Sequence, residues 1–411
     1  MTLSNKKSIE KYLSDVSIVI AILIAVSMPF APAIYSVLVI AFSSIVLLNI
    51  IIRKTIFNRY LSFAFLLLFL VYVLSTILSD DKMLAVNSLQ TKTALLLPIF
   101  LLQLKLNEKN IEAVLNIVVI LTIFLCLLCF INSAIIVEWN ILDALFKDKF
   151  LYRNEFTRQT YPIVVNIHPV YFSMFIIFSS LVLINKLLST KNRKVFYYLS
   201  IVVILVFFYF NLIILASRTA VAIYFFTVIV ILLSSKRLSK IFKIVTFASL
   251  IGIILISLNH PQIKYRFTNS IEKDLNHKYK NWKAAVDIFK DNPILGTGLG
   301  DVQGELSQNY KKLGYKYGLE RNLNAHNEYL QILSSVGLAG FLIFLFIALT
   351  TLKSIIVKKD ILFGGFSILI YASLLTESML SRQLGIGFIL FFLSILYLRN
   401  QKLNKVNNGE K

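Results

Sequence analysis

Cysteine, histidine and acidic side chains are all scarce in this chain, and each shortage narrows its chemistry. Two cysteines exclude a disulfide framework. They are Cys126 and Cys129. Their C-x-x-C spacing superficially resembles a redox or metal pair, but they lie in an apolar run with no flanking His or acid. There they read as two small apolar side chains. With four histidines, no His/Cys/Asp/Glu cluster stands at metal-ligand spacing, and no D-x-D pair falls in the segments read below as outside. No small-residue cleavage site follows the first apolar stretch after Lys6, Lys7 and Lys11, so that stretch is not read as a removable signal. No clear internal repeat is present.

What the chain has in excess is apolar sequence. It is 57% hydrophobic, with a mean hydropathy of +0.77. A spanning helix needs about 20 mostly apolar residues. Candidates begin near Ser17, Pro32, Tyr60, Thr93, Glu112, Pro169, Val195, Thr219, Ile241, Tyr329, Ile361 and Leu384, which makes about twelve spans. The fourth is short and carries Pro98, so a kinked or re-entrant form stays open. Lipid-exposed backbone must satisfy its own hydrogen bonds, so all spans are expected to be helices.

Lys and Arg total 42 against 21 Asp and Glu, a net charge of +21. With the N-terminus inside, every inside loop is basic, from Lys6, Lys7 and Lys11 through to Arg399, Lys402, Lys405 and Lys411. The short outside loops hold Lys82, Lys92, Arg218 and Arg382. This is the positive-inside pattern, and it puts both termini in the cytoplasm. It also accounts for the charge without any nucleic-acid partner.

The boundaries expected are 1–258 for spans one to nine, 259–325 for a large outside loop, and 326–411 for spans ten to twelve with a cytoplasmic tail. A second outside loop runs from about Glu138 to Ile167. Outside loops this long are usually functional or form small subdomains. In the large loop, Ile271, Leu275, Tyr279, Trp282, Val286 and Phe289 recur at helical steps. Such a helix either lies at the membrane interface, anchored by Trp282 and Tyr279, or packs onto other helices. Asn292-Pro293 stops it. "GTGLGD", from Gly296, imitates a nucleotide loop, but no strand precedes it and it faces away from cytoplasmic nucleotides. It reads as tight turns, with Asp301 capping a short helix that ends near Gly314.

Asn324 reads as the cap of the tenth span, with His326 in its first turn and on one face with Leu330, Leu333 and Gly337. Gly337 and Gly340 allow close helix approach. A helix N-terminus favours anions and disfavours protonating a nearby histidine. His326 is therefore a candidate general base; an interfacial histidine bonded to a neighbour is the alternative. Arg218, in "LASRTAVA", sits where charge near the membrane is usually functional. Its planar fork suits a phosphate at headgroup level, and snorkelling to lipid headgroups is the alternative. Lys92, Arg153, Arg158, Arg266, Lys278 and Arg382 are further outside cations, each alone a solvated face. Together with a base they describe a site for a lipid-linked phosphate or pyrophosphate, where cations stabilise the leaving group without a metal. His168, before Pro169, either lines that cavity or only starts the sixth span.

Three segments resemble the O-antigen ligase and polymerase superfamily of bacterial membrane glycosyltransferases. They are "SRTA" from Ser217, "NWKAAVDIFKDNPILGTGLGD" from Asn281 to Asp301, and "AHNEYLQILSSVGLAG", which is similar to an H-N-x-Y-L-x-x-x-x-x-x-G-x-x-G signature. "LTESMLSRQLGIGF", from Leu375, resembles a further segment of Bacteroidetes-type members. The resemblance covers most of the chain. It implies an all-helical C-type glycosyltransferase-like fold and an inverting, metal-independent transferase with no cofactor. The implied donor is a polysaccharide on undecaprenyl pyrophosphate and the implied acceptor, for ligases, a lipid A-core sugar hydroxyl. The reaction would take place on the periplasmic side of the inner membrane, among its lipids. On this chain His326, followed by Asn327, would deprotonate or orient the acceptor hydroxyl, and Arg218 would bind the pyrophosphate. Family members often have arginine four residues before the loop tryptophan. Lys278 stands there instead and keeps the charge without the fork; Arg266 is the candidate to compensate.

A polysaccharide polymerase of the same superfamily would use the same His326 and Arg218. A multi-span transporter predicts related halves and broken or charged mid-membrane helices, whereas nearly all ionisable groups here sit at span ends. A non-catalytic scaffold would tolerate His326→Ala.

Overall fold

A computed structural model describes residues 16, 19–30, 35, 37–41, 44, 60–104, 106–136, 160–190, 193–215, 217–235, 238–241, 243–244, 252 and 271–407. Among them there are only helices, turns and loops. Seven helices are long and apolar enough to cross a membrane: α2 (Tyr60–Leu78), α3 (Lys82–Leu101), α4 (Glu108–Ile136), α5 (Pro169–Ser189), α6 (Val195–Ile214), α11 (Glu328–Val357, continuing to Lys358) and α13 (Gln383–Lys402, continuing to Asn407). Three shorter apolar helices are α1 (Val19–Phe30), α7 (Arg218–Ser234) and α12 (Ile361–Leu374). This is the composition of an all-helical membrane protein. The spans expected from Pro32 and Ile241 lie largely outside the described residues.

The fourth span differs from expectation. It starts at Lys82, behind an Asp81 cap whose carboxylate accepts from Leu84 N, and passes through a 3-10 turn at Thr93–Leu95 before ending at Leu101. Lys82 and Lys92 are therefore helix residues rather than loop cations. Lys82 Nζ donates to the Ile77 and Ser79 carbonyls at 2.5 Å each, closing the end of α2. Lys92 is buried.

The chain divides into two compact units, residues 1–114, 273–363 and 370–411 in one and 115–272 with 364–369 in the other. In the second, α5 packs against α6 and α7. In its interior Tyr161 OH donates to Asn211 Oδ1 at 2.6 Å. Cys126 and Cys129 are buried and unbonded to each other there.

In the first unit, α2 packs along α11, and α13 packs on α3 and α11. Residues 271–325 fold as α8 (Ile271–Asp291), α9 (Val302–Lys312) and α10 (Lys316–Glu320). Their core is Ala284, Ala285, Ile288, Val302, Leu306, Tyr310, Tyr315 and Ala325. The buried face of α8 is thus rotated from the expected stripe, leaving Leu275 and Tyr279 exposed. Small Ala284 and Ala285 permit the close approach that the larger residues would prevent.

The decisive local feature is a break in α11. Gly337 has φ 62 and ψ −161, a region essentially restricted to glycine. The break frees backbone groups, and the Pro293–Gly298 loop takes them. Thr297 N and Gly298 N donate to the carbonyls of Ser334 and Ser335, at 2.9 and 3.1 Å. Leu338 N and Ala339 N donate to the carbonyls of Pro293 and Ile294, at 2.9 and 3.1 Å. The same loop is fastened to α2, where Leu299 N and Gly300 N donate to the hydroxyls of Ser75 and Ser79. Asp301 begins α9 without a side-chain cap bond. Its carboxylate accepts instead from Asp80 N and Asp81 N, at 2.8 and 2.9 Å.

A Cβ on Gly337 would lie 2.4 Å from the Ile294 carbonyl oxygen, on a backbone that disfavours one. Gly337→Ala is expected to lower stability by about 2–4 kcal/mol, from backbone strain of about 1–3 kcal/mol plus overpacking. A thermal midpoint in detergent measures it. Gly304→Ala, with open space around the added Cβ, is the control and should leave the midpoint unchanged or slightly raised.

Candidate active site

His326 precedes α11 rather than lying in its first turn. It adopts the left-handed conformation, φ 46, which is uncommon for a side chain of this size. Three bonds hold it. Its N–H donates to Asn324 Oδ1 at 3.0 Å. Its carbonyl accepts from the Trp282 indole at 3.5 Å, and its ring Nδ1 lies 3.1 Å from Glu377 Oε2. Asn324 is therefore a turn residue and not the helix cap. The cap is Asn327, whose Oδ1 accepts from Leu330 N at 3.1 Å.

The His326–Glu377 pair is partly open, the two side chains being 31% and 27% exposed. An ionised carboxylate only accepts, so this pairing puts the hydrogen on Nδ1 and leaves Nε2 as the basic nitrogen. Glu377 lies in the segment from Leu375 that the sequence singles out, but its role was not legible there. It meets His326 across 51 residues, which no local periodicity reports.

Behind the pair sits a buried arrangement of charge. Glu328, the first residue of α11, is 0% exposed, and Lys92 is 4% exposed. Both bind the backbone of one residue, Leu380. Glu328 Oε2 accepts from Leu380 N at 2.7 Å, and Lys92 Nζ donates to Leu380 O at 2.8 Å. Lys92 also stands over the Tyr72 ring, 4.8 Å from its centroid, and attracts Glu328 electrostatically. Leu380 lies in a 3-10 turn, Met379–Ser381, three residues after Glu377.

The remaining expected residues are placed as follows. Lys278 is half-buried on α8, four positions ahead of Trp282. Arg382 is exposed at the end of the 3-10 turn. Arg218, in the second unit, is the first residue of α7 after Ser217. A guanidinium there adds to the partial positive charge of a helix start, a combination suited to an anion. His168, also in the second unit, is exposed ahead of α5 and edge-on to Tyr171. Arg153, Arg158 and Arg266 lie outside the described residues. His277 stacks on Tyr317 at 4.6 Å; burial, then Lys273, lower its pKa, as suits a neutral packing ring. Among the described residues no three His, Cys, Asp or Glu side chains gather as metal ligands.

The protein-family model described as O-antigen ligase matches residues 201–345. The match supports the O-antigen ligase superfamily and a ligase- or polymerase-type function on lipid-linked polysaccharide. The matched stretch contains Arg218, Lys278, Trp282, His326 and Asn327. Lys92, Glu377 and Arg382 lie beyond it in sequence. No curated protein matches the chain.

The Asn327 side chain is engaged as a cap, and this can be tested. Asn327→Ala should lower stability by about 1 kcal/mol, while Asn327→Asp or Asn327→Ser, which also cap, should lose a few tenths at most. Thermal midpoints of the three purified variants provide the comparison.

Proposed function

We propose that the protein is an O-antigen ligase. It transfers polysaccharide from undecaprenyl pyrophosphate to a sugar hydroxyl of lipid A-core, on the periplasmic side of the inner membrane. The observation that carries this reading is His326, held out of the helix by three bonds and paired with Glu377, within the stretch that matches the O-antigen ligase family model. A base fixed by a carboxylate at the start of an apolar helix suits a reaction between a lipid-anchored donor and a lipid-anchored acceptor.

In this reading Nε2 of His326 takes the proton of the acceptor hydroxyl, and the imidazolium that forms is stabilised by Glu377. The freed oxygen attacks the anomeric carbon of the donor. The bond from that carbon to the phosphate oxygen breaks, and the pyrophosphate leaves with the electron pair. Attack opposite the leaving group inverts the anomeric centre. Arg218 binds the pyrophosphate and offsets its growing charge, and Lys278, Arg266, Arg153, Arg158 and Arg382 are proposed to contribute to donor binding, with His168 and Asn327 at its border. The proposed frame is a C-type glycosyltransferase fold of twelve spans, with both termini cytoplasmic. Its boundaries are 1–258 for the first nine spans, 259–325 for the periplasmic loop and 326–411 for the rest.

The surface lipopolysaccharide ladder on a gel tests this, comparing parent, deletion and His326→Ala. The expected result is bare core in both mutants with long lipid-linked polymer accumulating. Core carrying a single repeat unit in both would make the protein the polymerase instead, and an unchanged ladder in the deletion would remove both readings. With purified protein, His326→Ala should slow transfer by roughly 10²–10⁴-fold, the usual contribution of a positioned base.

A further inference from the structure

We infer that Lys92 and Glu328 are positioning residues for the transfer reaction, acting by clamping the Leu380 backbone so that Glu377 meets His326. The inference rests on the reading of His326 as the base. Neither residue touches the reacting nitrogen, and neither is needed simply to end a helix. Glu328 begins α11, but the cap bond is made by Asn327, so the buried carboxylate is free to serve elsewhere.

The geometry of the clamp is specific. The backbone of one residue is gripped on both sides of its Cα, the Leu380 N–H by Glu328 Oε2 and the Leu380 carbonyl by Lys92 Nζ. Three separate parts of the first unit are thereby joined. Lys92 comes from α3, Glu328 from the start of α11, and Leu380 from the turn that links α12 to α13. Glu328 is two residues from His326, and Leu380 is three from Glu377. A displacement of the turn relative to α11 is therefore a displacement of Glu377 relative to His326. Met379 and Leu380 are both buried, which limits sliding of the turn but does not set its register along the peptide; the two charge-assisted bonds do.

Burying two charges is a poor route to stability, because desolvation opposes their attraction. Among the described residues Glu328 Oε1 has no hydrogen-bond partner, so the pair is not arranged for maximal satisfaction. An arrangement that costs stability and fixes one residue's backbone beside the proposed base is what a positioning role requires.

Two charge-free double variants test the inference in transfer assays with lipid-linked donor and core acceptor. Lys92→Met with Glu328→Gln keeps an oxygen to accept from Leu380 N. Lys92→Met with Glu328→Leu removes both grips while leaving no lone buried charge. The expected outcome is a kcat at least tenfold lower for the Leu form than for the Gln form, with the donor KM changed less than twofold. Equal kcat values in two folded variants would overturn the inference. If the Leu form fails to fold, Glu328→Asp against Glu328→Gln in the parent replaces it. The shorter Asp keeps the charge but loses the reach, so positioning predicts Gln the more active, and Asp equal or better would overturn it. His326→Ala, run alongside, separates the two levels. Retained activity there rejects the base itself, whereas loss there with equal doubles rejects only the clamp.

Discussion

A peptide backbone that leaves helical geometry beside lipid must find partners for every N–H and C=O it releases. Much of the first unit follows from this constraint at Gly337. The break in α11 is stable because the Pro293–Gly298 loop supplies donors and acceptors on both sides of it. Those bonds tie helices α8 and α9 to α11, and Ser75 and Ser79 tie the same loop to α2. Trp282 on α8 can then reach the His326 carbonyl. The segment that carries His326 is thus held from several sides at once.

The site combines a strained residue with a buried support. A left-handed histidine persists only where its surroundings over-determine it, and here the Asn324 turn, the Trp282 indole and the Glu377 carboxylate do so. The support behind Glu377 is polar and enclosed, with Lys92, Glu328 and the Leu380 backbone forming one linked group. The rigid part thus lies out of water while the His326–Glu377 pair stays partly in it.

Much of this architecture could be read from residue order. Apolar runs marked most spans, because bilayer thickness dictates helix length directly. "NPILGTGLGD" was legible as turns, since Gly296 and Gly298 take positive φ. His326 stood out by its place at the head of a span. What stayed hidden depends on distant partners. Gly337 looked like a small residue at a packed seam, whereas its neighbours Ile294 and Gly296 make it a break. Asp301 occupied a capping position, yet two amides more than two hundred residues earlier take its carboxylate. Lys92 looked like a loop cation because its helix begins with a polar, weakly hydrophobic stretch from Lys82. The expected stripe on α8 followed the largest apolar residues, while packing selected the smallest.

The bonds that complete the site also impose an order of birth. Lys92 waits 288 residues for its carbonyl, and His326 waits 51 for its carboxylate. During synthesis the histidine emerges before its partner exists, and the glycine loop must await the span that it later fills. A nascent or truncated chain ending before Glu377 thus holds the proposed base without its orienting group, and in the proposed mechanism the site is complete only once the last helices are in place.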